Sequence, residues 1–154
     1  MKVARKILLT IVIVFVGIQF IQPPKNKSEQ EFQTDISHVV IVPAEVKEVL
    51  KTSCYDCHSN NTEYPWYSFI QPAAWWMSSH IKEGKADLNF SEFGNYTKRK
   101  QGNKLEAIVK SIQDETMPLS SYTLLHAAAR LSGEKKVLVI NWATTAKDSL
   151  TSIN

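Results

Sequence analysis

The chain has 154 residues, 44% of them hydrophobic, and a formal net charge of +3. That length holds one domain plus an appendage. Lys2, Arg5 and Lys6 account for the whole excess charge, because the fifteen basic and fifteen acidic side chains from Lys25 onward cancel; no basic stripe is left for nucleic acid.

The appendage comes first. Met1 to Lys6 is basic, and Ile7 to Ile21 is apolar except for Thr10, Gly17 and Gln19. Such a segment is a cleaved signal peptide or a retained anchor. The run ends Gln19-Phe20-Ile21-Gln22-Pro23-Pro24, which is bulky and has no A-x-A-like cleavage site. An uncleaved anchor is therefore favoured. Fifteen apolar residues fall short of the ~20 that span a bilayer, and counting from Val3, with Arg5 and Lys6 snorkelling, narrows the gap. Lys2, Arg5 and Lys6 hold the N-terminus in the cytoplasm by the positive-inside rule. This predicts a single-pass protein of the cytoplasmic membrane, with its domain on the periplasmic or other extracytoplasmic side. The expected organisation is an anchor or signal segment over 1–22, a polar tether over 23–35 and a domain over 36–150.

Pro43 suits the start of a helix. Val46, Val49 and Leu50 then recur at i, i+3 and i+4, which predicts a helix from Pro43 through Lys51. It delivers the chain into Ser53-Cys54-Tyr55-Asp56-Cys57-His58, which holds both cysteines. C-x-x-C-H is the attachment pattern of c-type haem. In a helical turn, Cys54, Cys57 and His58 lie at i, i+3 and i+4 and share one face. Two thiols can then form thioethers to the porphyrin edge while the imidazole reaches the iron. Three other readings compete. A dithiol redox centre normally accompanies a βαβ pattern, which is not visible here. Structural zinc needs four ligands, and no H-x3-5-H completes the set. A disulfide across this spacing closes a tiny loop and constrains little.

Tyr64 to Trp76 is dense in aromatics, with Trp66, Tyr67, Phe69 and Trp75 between them. Flat rings can wall a macrocycle or simply fill a core. From Pro72 to Glu83 the pattern is helical, with His80 one turn after Trp76 and Gly84 as a stop. Residues 85–93 are loop-like. Asn95 to Asn103, with Lys98-Arg99-Lys100, is expected as a solvated loop. Lys104 to Gln113 carries a stripe of Leu105, Ile108, Val109 and Ile112. Met117-Pro118 comes next; proline disfavours helix at the residue before it, so Met117 ends a loop. Thioether sulfur is a distal ligand in cytochromes c, although a methionine also fills core gaps. Ser132 is the expected N-cap of a last helix, with Glu134 near the positive dipole end and Val137, Leu138, Ile140, Trp142 and Ala146 as its apolar face. The fold expected from this pattern is mostly α.

With those residues in place, the region from Ile36 to Asp148 resembles the bacterial haem-binding domain family of cytochrome c type. The likeness rests on Ser53-Cys54-Tyr55-Asp56-Cys57-His58-Ser59-Asn60, Tyr64-Pro65-Trp66-Tyr67, Trp75-Trp76, His80-Ile81-Lys82-Glu83-Gly84, Leu88-Asn89-Phe90-Ser91-Glu92, Met117-Pro118-Leu119 and Tyr122-Thr123-Leu124-Leu125-His126. Ala127 departs from the usual proline, and Phe93 from the commoner tryptophan. The resemblance implies a small cytochrome c-like helical domain around one haem c, covalently held by Cys54 and Cys57 with His58 as proximal ligand. Met117 is the expected sixth ligand and His80 the alternative. His126 is expected as a hydrogen-bonded structural histidine. With both axial positions filled, the function expected is one-electron transfer with redox partner proteins rather than catalysis. The alternative is a haem-based sensor or a ligand-binding, peroxidase-like module with an open iron site.

Overall fold

The computed structural model describes residues 2–28, 30 and 32–151. Among them are seven α-helices, four short 3-10 turns and no strand, so the mostly helical expectation holds. The α-helices are α1 (Lys2–Ile18), α2 (Ala44–Ser53), α3 (Tyr55–His58), α4 (Ala73–Asp87), α5 (Lys98–Gln113), α6 (Ser120–Leu125) and α7 (Gly133–Thr151).

The core is built on α5 and α7, which pack side by side. Leu105, Ile108 and Ile112 of α5 are buried at helical spacing. On α7 the buried stripe is Val139, Trp142, Ala143, Ala146 and Leu150. The small Ala143 and Ala146 let the two helices approach. This corrects the expected face of α7: Val137 is exposed and Val139 is the core residue. Ser132 caps α7 as expected, its Oγ accepting from Lys135 N at 3.3 Å. Val46, Val49 and Leu50 of α2 close the core together with Ile36, Phe90 and Phe93. The Trp142 indole N–H donates to Ile41 O at 3.0 Å, which ties α7 to the segment before α2.

Two boundaries differ from the expected ones. Residues 98–103 of the solvated loop expected over 95–103 form the first turn and a half of α5, and Gln101 and Gly102 are buried. Thr97 is its N-cap and accepts from Lys100 N at 3.3 Å, a local signal outweighed by the polar run after it. Gly84 does not stop α4, which continues to Asp87. It lies where a Cβ would come within 2.7 Å of the Cys57 carbonyl oxygen, so the glycine serves a close approach of α3 and α4.

The N-terminal segment needs a larger correction. Helix α1 forms over 17 residues, which is about 26 Å at 1.5 Å per residue. No helix among the described residues is long and apolar enough to cross a membrane, so the expected transmembrane helix is not supported. The chain leaves the helix at Ile18, and Gln19 turns back through its N–H to Val16 O at 3.2 Å. Nor does the polar stretch behave as a free tether. Asn26 donates through Nδ2 to Ser59 O and Thr62 Oγ1 at 2.8 and 2.9 Å. Its carbonyl accepts from Thr62 N at 3.0 Å. The Asn26 side chain and carbonyl thus find partners in the loop after His58.

Candidate haem-binding site

Cys54 sits at the junction of α2 and α3, with φ −129° and ψ −40°. Its carbonyl accepts from Cys57 N and His58 N at 3.2 and 3.0 Å. The four-residue α3 is therefore one helical turn, and the i, i+3, i+4 clustering expected of Cys54, Cys57 and His58 is realised. Both cysteines are free thiols, and both are partly buried. Burial pushes Cys54 up to about 12, helped by Cys57. Burial also pushes Cys57 up to about 11, helped by Asp56. An activated dithiol needs a lowered value and an electropositive surrounding, so this environment opposes the dithiol reading.

The decisive orientation belongs to His58. Its Nδ1 lies 3.1 Å from Leu88 O. A carbonyl only accepts, so Nδ1 carries the proton and Nε2 keeps its lone pair for a metal. The imidazole also meets Phe90 edge-on at 6.4 Å. Behind it, a buried polar network fixes the segment that carries Leu88. Asn89 Nδ2 donates to Asn60 Oδ1 at 2.9 Å, Asn60 N donates to Ser91 Oγ at 3.1 Å, and Ser91 N donates to Asn89 Oδ1 at 3.1 Å. Asn60 and Asn89 thus bind the residues after His58 to the residues after α4. They are positioning residues; the sequence places both within motif segments but carries no signal for this role.

Two adjoining clefts, of about 210 and 410 Å³, open beside His58. Ser53, Cys54, His58, Asp87, Met117 and Pro118 line both. Together they have the size of a cofactor pocket. One wall is aliphatic, with Val49, Leu88, Ile108, Leu131 and Val139. The other carries Cys57, His80, Glu83, Gly84 and Tyr122. None of Trp66, Phe69, Trp75 or Trp76 lines either cleft, and all four are exposed. The aromatic stretch is therefore not the wall of this site; α5, α7 and Leu88 supply the wall instead.

Met117 is held over the clefts by a loop. Glu115 adopts the left-handed conformation, φ 56°, which reverses the chain after α5. Thr116 N and Met117 N both donate to Ser111 O, at 3.0 and 3.3 Å. His80 borders one cleft only. Its Nδ1 donates to Trp76 O at 2.9 Å and its ring lies 4.5 Å from Trp76. His126 is outside both clefts. It donates through Nδ1 to Tyr122 O at 3.1 Å and meets Tyr67 Oη through Nε2 at 3.2 Å, as expected of a structural histidine. Asp56 ties α3 to α6 by accepting from Tyr122 Oη at 2.7 Å and from Glu63 N at 2.8 Å.

Haem fits this donor set. An imidazole with a free Nε2 and a thioether border one apolar space, and two thiols stand at its edge. Ser53 Oγ, buried at the same rim, has no hydrogen-bond partner within the protein. Lys104, which pairs with Asp87 at 2.8 Å, supplies a cation on the aliphatic side. The family of the haem-binding domain matches residues 13–145, most of the chain. The chain belongs to that family. This haem-binding domain is also similar to the cytochrome c peroxidase Ccp of Escherichia coli (strain K12), with 30% identity over 95 residues. That similarity covers 58% of this chain and 20% of the peroxidase, so the haem-binding domain spans about a fifth of that relative. No solved structure matches.

Proposed function

We propose that the chain is a monohaem c-type cytochrome domain that passes single electrons at the outer face of the cytoplasmic membrane. Cys54 and Cys57 hold the haem by thioether bonds, and His58 Nε2 is the proximal ligand. Met117 is the sixth ligand, with His80 as the alternative. The observation that carries the reading is the Leu88 carbonyl on His58 Nδ1, which leaves Nε2 free beside a cleft that Met117 also lines. Bound haem supplies a one-electron ferric–ferrous couple, and the thioether raises its potential.

The protein's own contribution is position and environment. Leu88 O holds the imidazole proton on Nδ1, which raises the donor strength of Nε2. The aliphatic side chains of α5 and α7 keep water from one side. Asn60 and Asn89 hold Leu88 in place. Helix α1 embeds in the membrane and keeps the domain near membrane-bound redox partner proteins.

A second reading, sensing or peroxidase-like chemistry at an open iron position, draws on the similarity to the peroxidase and on the 39% exposure of Met117. Optical spectra of the full chain, produced in a host that attaches haem c, separate the two. Low-spin bands in both redox states, unmoved by carbon monoxide, support the electron carrier. A ferrous band that shifts with carbon monoxide supports the open site. Absence of haem from the purified chain overturns both.

A further inference from the structure

From Ile7 to Ile18 helix α1 is apolar on every side except at Thr10 and Gly17, and none of its described residues is buried. A helix of that kind belongs inside a protein core or a bilayer. The segment after α1 is rigidly fastened to the domain. Gln71, fully buried, donates from Nε2 to Ile21 O at 2.7 Å. Its backbone N–H donates to Gln19 Oε1 at 2.9 Å. The Trp75 indole N–H donates to the same Ile21 O at 3.0 Å. Gln22 Nε2 reaches Phe69 O at 3.3 Å. Around this seam, Phe20, Ile21, Phe69, Ile70 and Trp75 keep between 39 and 85% of their surface exposed. An apolar collar therefore continues from the end of the apolar helix onto the domain itself.

We propose that this collar lies in the membrane–water interface, so that the domain sits down on the lipid surface instead of hanging from a tether. The proposal rests on α1 entering the membrane. Three observations favour lipid as the occupant. The apolar part of α1, residues 7–18, spans about 18 Å against a hydrocarbon core of ~30 Å, and immersing Phe20, Ile21 and the collar reduces the mismatch that would otherwise thin the bilayer. Aromatic groups with a polar edge settle at that depth. Lys25 Nζ lies 3.9 Å over the Phe69 ring and 4.1 Å over the Tyr64 ring, which sets a cation beside the collar at the level of lipid phosphates. The consequence is a fixed height for the redox site: Trp75 and Gly84 are nine residues apart on α4, about 14 Å along the helix axis.

The test uses the full haem-loaded chain in phosphatidylcholine–phosphatidylglycerol vesicles. Nitroxide labels are placed at Phe69→Cys, Ile70→Cys and, as a control on α6, Leu124→Cys, and are read in the ferrous low-spin state. Oxygen accessibility relative to a water-soluble nickel chelate should rise several-fold at 69 and 70 over that at 124. Equal values at all three sites, in protein that floats with the vesicles, overturn the collar and leave membrane attachment standing. Protein that stays in solution overturns attachment and the collar together. Spin–spin broadening at 69 and 70 that grows with the protein-to-lipid ratio assigns the collar to a second copy of the chain, and also overturns the proposal.

Discussion

The two ends of α4 use side chains in opposite ways. At the N-terminal end, Trp75 and the preceding Phe69 and Ile70 stay exposed while the Trp75 indole N–H and the Gln71 side chain fasten the chain at the end of α1. At the C-terminal end, Gly84 offers no side chain, and the Cys57 carbonyl closes onto the helix in the space left free. Just beyond, Leu88 turns its carbonyl to His58. One helix thus carries an apolar collar at one end and the frame of the haem cleft at the other. Aromatic density marks the first and says nothing about the second. The cleft is walled by aliphatic side chains that also belong to the core.

The largest effect tests the cleft end outright. Cys54→Ser together with Cys57→Ser should abolish covalent haem, seen as loss of haem mass on the denatured chain; covalent haem retained in that variant would falsify thioether attachment. Next comes the axial position. Met117→Ala should convert a low-spin spectrum to a high-spin one, and His80→Ala should leave it unchanged. The reverse pattern would move the sixth ligand to α4.

Gly84→Ala sharpens the contrast between the two ends. Its new Cβ meets backbone rather than a yielding side chain, so the overpacking should cost about 1–3 kcal/mol, measured as a lower denaturation midpoint and poorer haem loading. Phe69→Ser, at the other end of the comparison, should leave the haem spectrum and loading as they are. If both variants lose haem, the two ends are not independent.

The thiols give a pH test in the haem-free chain under reductant. Both folded values are raised above the ordinary 9.0, so the folded state holds the neutral thiols that the unfolded state ionises. The stabilisation this represents is fully present below pH 9 and is lost as pH rises toward 11 to 12. The slope is about 1.4 kcal/mol per pH unit for each thiol, tracked by denaturant melts. Under the proposed thioether attachment the sulfurs of the haem-loaded chain do not titrate, so that chain should lack this alkaline loss. The smallest effect is Tyr122→Phe, which removes the hydrogen bond to Asp56 and should cost about 1–2 kcal/mol, read as a shift in denaturation midpoint with an unchanged haem spectrum.

Some of this molecule was legible without coordinates because the signals are local. The stripe of α5, the Ser132 cap of α7, the turn that gathers Cys54, Cys57 and His58, and the loop position of Met117 all come from helix period and nearest-neighbour chemistry. Other features were not, because they depend on residues far apart in the chain. The acceptor for His58 Nδ1 is thirty residues away, and a carbonyl has no side-chain signature. Gly84 reads as a helix stop until α3 is laid against it. Residues 23–35 read as a tether because their polar groups are suited to water; only the closed fold supplies Ser59 and Thr62 as partners for Asn26. Sequence alone determined that Cys54, Cys57 and His58 gather on one helical turn, since that spacing and helix geometry are local. Tertiary structure decided which imidazole nitrogen is free, which helices wall the cleft and which apolar rings stay outside, because each depends on where the chain returns to meet itself.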